Sequence, residues 1–162
     1  MTLQEYIKML AERHVDIRHR DDGEVHYLSS DAKKVTAIDS ELCYPAVIYD
    51  RGAKFRYAGM PGAYRKETWP VLMVVDKVHD TSDYIAIDDA FDRCGVILDE
   101  FMNRMLSDKS KPELKRVLGR FRLEDVECEY VENADNMLYG VAAFIDMDMP
   151  VPGADCREAF ID

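Results

Sequence analysis

The clearest pattern along the chain is an apolar stripe at Tyr84, Ile87, Phe91, Cys94, Leu98, Phe101 and Met105. The steps alternate between three and four residues, so all seven positions fall on one face of a helix over 83–106. Asp80, Thr81 or Ser82 is placed to cap its start. Asp83, Asp88 and Asp89 set negative charge near the positive end of the helix dipole. The seam covers only about three heptads, which favours packing on a sheet over a coiled coil. A second helix is expected over 2–14, with Leu3, Ile7 and Leu10 on one face and a capping-box spacing at Thr2 and Glu5. Ser110 and Glu113 repeat that spacing with Pro112 in the first turn. They predict a short helix through Leu114, Val117 and Leu118 that stops at Gly119.

Period-two patterns and apolar runs mark the strands. Residues 71–78 are nearly continuously apolar, the signature of a central strand covered on both faces over its first half. Residues 43–50 predict a strand whose Pro45 suits a strand start or a sheet edge, because proline cannot donate to a ladder. Val25–Leu28 and Val35–Ile38 are shorter candidates, separated from the first helix by the Asp21-Asp22-Gly23 turn signal. Val126, Cys128 and Tyr130 alternate with Glu127 and Glu129, which predicts a half-buried strand. The turn at 133–136 joins it to one long strand over 137–149, giving an antiparallel hairpin. Residues 51–69 carry three glycines, Pro61 and several aromatics, and read as a long loop with a short strand at 54–57. The order is not a regular βα alternation. The expected fold is α+β, a mainly antiparallel sheet with the long helix across one face and an additional N-terminal helix. Residues 1–149 form one domain, followed by a tail at 150–162.

Composition narrows the class. Of 162 residues, 48% are hydrophobic and 33% charged, as in ordinary globular domains of this length. No apolar run approaches the ~20 residues that cross a bilayer, and Met-Thr-Leu-Gln-Glu-Tyr is not a signal peptide; a cytoplasmic protein without membrane contact is expected. Cys43, Cys94, Cys128 and Cys156 form no metal-binding spacing and read as reduced thiols, some of them buried. Residues 1–70 hold 11 basic and 11 acidic side chains, whereas 71–162 hold 10 and 21, so the whole net charge of −11 sits in the second half. That field repels a phosphate backbone, and no nucleic-acid partner is expected. The segment 109–122 is the local exception, with six basic residues against Glu113. It reads as a solvated helix face or as a contact patch for an acidic partner surface.

The chain has no phosphate-binding glycine loop, nucleophile elbow or HExxH helix. Two pairs could hold a metal. His79-Asp80 falls between a strand end and a helix start. Asp146 and Asp148 share one strand face, as carboxylates holding a divalent cation would. Neither a glycine cradle nor a basic clamp lies near the second pair in sequence. Each pair also has a plain structural reading: a helix cap with a surface histidine, and polar alternation at a sheet edge. The 51–69 segment is the better candidate for a contact, because aromatics, Met and Arg are enriched in interface cores. The residues singled out are Arg56, Tyr57, Tyr64, Arg65 and Trp69.

Taken together, Cys43-Tyr-Pro-Ala-Val-Ile-Tyr49, the long loop, the strand at 71–78, the helix at 83–106 and the strand at 137–149 resemble the small tail-terminator and head–tail joining proteins of tailed phages. The likeness spans about residues 40–149 and lies in organisation rather than in a motif. It implies a non-enzymatic protein without a cofactor. Such a protein acts by forming homo-oligomers, commonly rings, and by docking on other particle proteins, with the long loop as an assembly contact. A metal-dependent phosphate-processing enzyme and a partner-binding adaptor are the alternatives.

Overall fold

The computed structural model describes residues 1–29, 42–60 and 63–150. The expected strand at 35–38 and the tail lie outside them. The described residues form an α+β fold of three α-helices and eight strands. The order is α1 (Leu3–Arg13), β1 (Val25–Ser29), β2 (Leu42–Asp50), β3 (Phe55–Ala58), β4 (Arg65–Thr68), β5 (Val71–Lys77), α2 (Tyr84–Asp108), α3 (Lys115–Leu118), β6 (Glu127–Asn133), β7 (Leu138–Phe144) and β8 (Met147–Pro150).

The main sheet has the order β1-β2-β5-β7-β6. Only β1 and β2 run parallel; the other three pairs are antiparallel. β5 is the middle strand and is covered on both faces, as its apolar run predicts. Leu72 and Val74 join the large core under the helices, while Met73 and Val75 join a smaller cluster on the opposite face. α2 supplies Cys94, Ile97, Leu98, Phe101, Met102 and Met105 to the large core; α1 adds Tyr6, Ile7, Leu10 and Ala11. Tyr84 opens the sequence stripe but remains exposed.

Both long-range helix starts form, with one change of residue. Thr2 and Glu5 make the full capping box on α1. On α2 the cap is Asp83, whose carboxylate accepts from the Ala86 amide at 3.0 Å, not Asp80, Thr81 or Ser82. Asp80 instead accepts from the backbone and hydroxyl of Ser82. The capping box expected at Ser110 and Glu113 does not form: the Ser110 hydroxyl donates to the Ser107 carbonyl, and α3 starts at Leu114 without a side-chain cap.

Three strand expectations are corrected by pairing that no local pattern reports. First, β2 is an interior strand, so Pro45 is not at an edge. It lies where the β1–β2 register shifts between the pairs Val25–Leu42 and Tyr27–Val47, just before pairing with β5 begins at Ala46. A bulge removes the ladder bond that proline could not make. Second, β6 is the sheet edge and is exposed rather than half-buried, with Tyr130 at 75% exposure. Third, 51–69 is more than a loop with one strand: the short strand expected at 54–57 forms as β3, and Arg65–Thr68 adds the unexpected β4. The segment folds as the hairpin β3–β4, and β4 pairs antiparallel with β8 in a second sheet ordered β3-β4-β8.

The expected long strand over 137–149 is accordingly two strands, broken at Ile145-Asp146. The register nevertheless passes through the break. Val71 pairs with Phe144 on one side and Thr68 with Met147 on the other, and two residues intervene on each strand. β4–β5 and β7–β8 therefore form one bent ribbon that turns a corner between sheets. The Ile145 amide donates to the Pro70 carbonyl at the corner.

Gly95 sits in the interior of α2, where an added Cβ would meet nothing within 4 Å. Glycine in a helix gives up backbone entropy without a packing reason here. Gly95→Ala should raise stability by about 1 kcal/mol, seen as a higher urea midpoint at unchanged slope. No gain would mean that the site is not the open helix surface described.

Candidate functional site

The candidate site is the β3–β4 hairpin and the side chains that brace it. Strand alternation fixes what each face shows. Arg56, Arg65 and Glu67 share one face; Phe55, Tyr57, Lys66 and Thr68 share the other. The five residues singled out from sequence are thus all at the surface, but they do not form one patch. Arg56 and Arg65 meet at Glu67, and the Arg56 guanidinium also lies 5.6 Å from the centroid of the Trp69 ring. Tyr57 is on the reverse face, edge-on to Phe55 at 5.8 Å between centroids. Phe55, Tyr57, Met60, Tyr64 and Trp69 are all exposed, from 37% at Trp69 to 69% at Met60.

The guanidinium face is held rigidly. Glu67 is buried and accepts from both Arg56 and Arg65, and those bonds hold its carboxyl below the usual carboxylate range. Arg65 also reaches Asp148 at 3.3 Å, and Arg120 reaches the same Asp148 oxygen at 2.6 Å. Sequence reading found no basic clamp near Asp146 and Asp148. The fold supplies one from β4 and from the segment after α3, which sequence distance concealed. Both guanidinium groups contact Asp148 Oδ2, its Oδ1 is buried without a hydrogen-bond partner among the described residues, and Asp146 stays exposed outside β8.

The other metal candidates gain nothing from the fold. His79 and Asp80 are exposed, and Asp80 is occupied by Ser82, whose hydrogen bonds lower its pKa. Among the described residues one cluster brings three possible ligand atoms within 4.8 Å: His14, Asp16 and Glu100. Sequence reading missed it because the turn after α1 and the helix α2 supply it, with His14 and Glu100 86 residues apart. Its hydrogen bonds oppose a metal. The His14 Nδ1 accepts from the Asp16 amide, so Nε2 carries the proton and donates to Glu100 at 2.6 Å. A metal on Nε2 needs the reverse tautomer, with Nδ1 donating.

Comparison with protein-family models, curated proteins and solved structures finds no match.

The basic segment 109–122 is mostly consumed within the chain. Lys109 donates to the Phe121 carbonyl, Lys111 pairs with Asp108, Arg120 with Asp148 and Arg122 with Asp125. Cys94 is a buried thiol pushed up to about 12 by burial and the nearby Asp76, and burial also raises Cys128. Both shifts run opposite to the lowered pKa of an activated nucleophile. Cys156 lies outside the described residues. No helix among the described residues is long and apolar enough to cross a membrane.

Proposed function

We propose that this protein is a non-enzymatic assembly component, a tail- or neck-completion protein of a phage or prophage-like particle, and that the β3–β4 hairpin is its contact with a neighbouring subunit. The observation that supports this reading is that one short hairpin carries five exposed large apolar side chains over its two faces, with Trp69 beside the Arg56 guanidinium that Glu67 fixes. Exposed aromatics beside preorganised arginines are the composition of interface hot spots, because they bury much area while losing little side-chain freedom. The hairpin is also anchored by the β4–β8 ladder, so it presents these groups on a rigid support rather than on a loose loop.

The test is the double substitution Tyr64→Ala with Trp69→Ala. Light scattering should show the assembled species replaced by a monomer, while far-UV circular dichroism and the unfolding midpoint stay close to those of the parent. Retained assembly in this variant would remove the hairpin from the interface. A parent protein that is monomeric at every concentration, alone and with candidate particle proteins, would remove the assembly reading itself.

A further inference from the structure

A groove of about 700 Å³ opens on the side of the hairpin away from the Glu67 cluster. Its walls come from the first turn of α1, the β2–β3 turn, β3, β4 and α3. Four cations line it: Arg51, Lys54, Lys66 and Arg116. Among the described residues no Asp or Glu lines it, although the chain carries 32 acidic residues against 21 basic ones. None of the four makes an ion pair with a described carboxylate. Lys66 instead sits 4.2 Å from the Phe55 ring centroid.

The neighbouring groove shows what this surface looks like when its cations are satisfied. There Arg56, Arg65, Arg120 and Arg122 are each paired with Glu67, Asp148 or Asp125. The two grooves share one hairpin and differ in this respect. Grouping four like charges without counter-charges is unfavourable in an empty groove, by Coulomb repulsion. It becomes favourable when an anion binds. We infer that the groove lined by Arg51, Lys54, Lys66 and Arg116 is a binding site for a small polyanion carrying two or more phosphate groups.

The chemistry selects this class. Several separated cations call for a ligand with several charges. Arg51 and Arg116 offer planar forks that match phosphate oxygens, and the lysines serve as point charges. The volume falls in the range of small-ligand pockets. The net charge of −11 does not oppose a small ligand, because exposed charges beyond about 8 Å are screened at physiological ionic strength. A nucleic acid would extend past that range onto the acidic surface and is disfavoured. The groove shares Phe55, Lys66 and Thr68 with the hairpin of the assembly reading, but Arg51 and Lys54 lie outside that hairpin, so changes at those two positions separate the two readings.

Isothermal titration calorimetry at low salt with sodium tripolyphosphate, ATP and a Glu-rich peptide of matched charge tests it. Tripolyphosphate should bind saturably. Arg51→Ala with Lys54→Ala should weaken it at least about tenfold, since each charge-assisted bond is worth more than the 1.4 kcal/mol of one decade. Lys115→Ala, next to the groove but not in it, should leave affinity unchanged. ATP binding more tightly than tripolyphosphate, with the difference lost in Phe55→Ala, would assign a nucleotide; equal affinities would assign the phosphate chain alone. Three results overturn the site: no binding at millimolar tripolyphosphate, binding indifferent to the Arg51 and Lys54 changes, or tighter binding of the acidic peptide. Light scattering on the same double variant keeps the two readings apart, because its assembly should match the parent.

Discussion

Replacing Gly140 with alanine should destabilise the protein by at least about 3 kcal/mol, at the upper end of what a single added methyl does in a packed interior. Gly140 lies in β7, opposite Val75 of β5 on one side and Val131 of β6 on the other. A Cβ at this position would stand 2.0 Å from the Val74 carbonyl oxygen and 2.8 Å from the Val75 Cα. Both obstacles are backbone of the middle strand, and they cannot rotate away as a side chain would. The strands must separate, and separation disturbs the central ladder on which α2 rests. Equilibrium urea unfolding checks this directly. A loss below about 1 kcal/mol would mean that β5 and β7 do not approach as closely as described. The contrast with Gly95 is informative. The same Gly→Ala change is expected to stabilise α2 and to disrupt β7, because open space surrounds one site and neighbouring backbone the other.

This contrast also marks what the amino-acid sequence carries. Helix signals are local. The stripe from Ile87 to Met105, the Thr2–Glu5 box and the apolar run at 71–77 each report their own element, and α1, α2 and β5 appear where they are expected. Strand signals fail where pairing decides. Arg65-Lys66-Glu67-Thr68 has no apolar alternation, and it is a strand because β3 and β8 flank it. The break at Ile145-Asp146 is silent because Ala143, Ile145 and Met147 are buried straight across it. β6 has the alternation of a half-buried strand, yet its edge position leaves Cys128 and Tyr130 in solvent. The same limit applies to the site. Aromatic and arginine residues in 51–69 were legible as interface types. Their division between two faces depends on the register of β3 and β4, and the brace through Arg120 and Asp148 joins positions 28 apart. The four-cation groove was least legible, since Arg51, Lys54, Lys66 and Arg116 converge only once the two sheets and α3 are assembled.

Asp108 joins the two long helices, and its loss should be felt nearly as strongly as that of Gly140. Its carboxylate is buried at the end of α2, where Oδ2 accepts from the Tyr6 hydroxyl at 3.1 Å and from Arg104 at 2.9 Å. The Lys111 ammonium lies 2.7 Å from Oδ1 but outside hydrogen-bonding direction, so that contact is ionic only. Burial works to raise the carboxyl pKa, yet the Lys111, Tyr6 and Arg104 contacts outweigh it and leave the pKa below the usual value. Arg104 and Lys111 are about half-exposed and can turn to water when the carboxylate is removed. Tyr6 cannot, because it is fully buried. Asp108→Ala therefore leaves a buried hydroxyl unpaired and should cost about 2–3 kcal/mol, mostly from that hydroxyl rather than from the screened ion pairs. The pH dependence separates the two causes. A carboxyl with a lowered folded pKa contributes stability above its unfolded value, about 3.9, and loses it as the pH falls through the folded value. Asp108→Asn keeps the shape and removes the titration. The stability gap between parent and Asp108→Asn should be full at pH 7 and should shrink below about pH 4. A gap of equal size at pH 7 and pH 3 would show that the carboxylate's charge contributes nothing to the tie between α1 and α2.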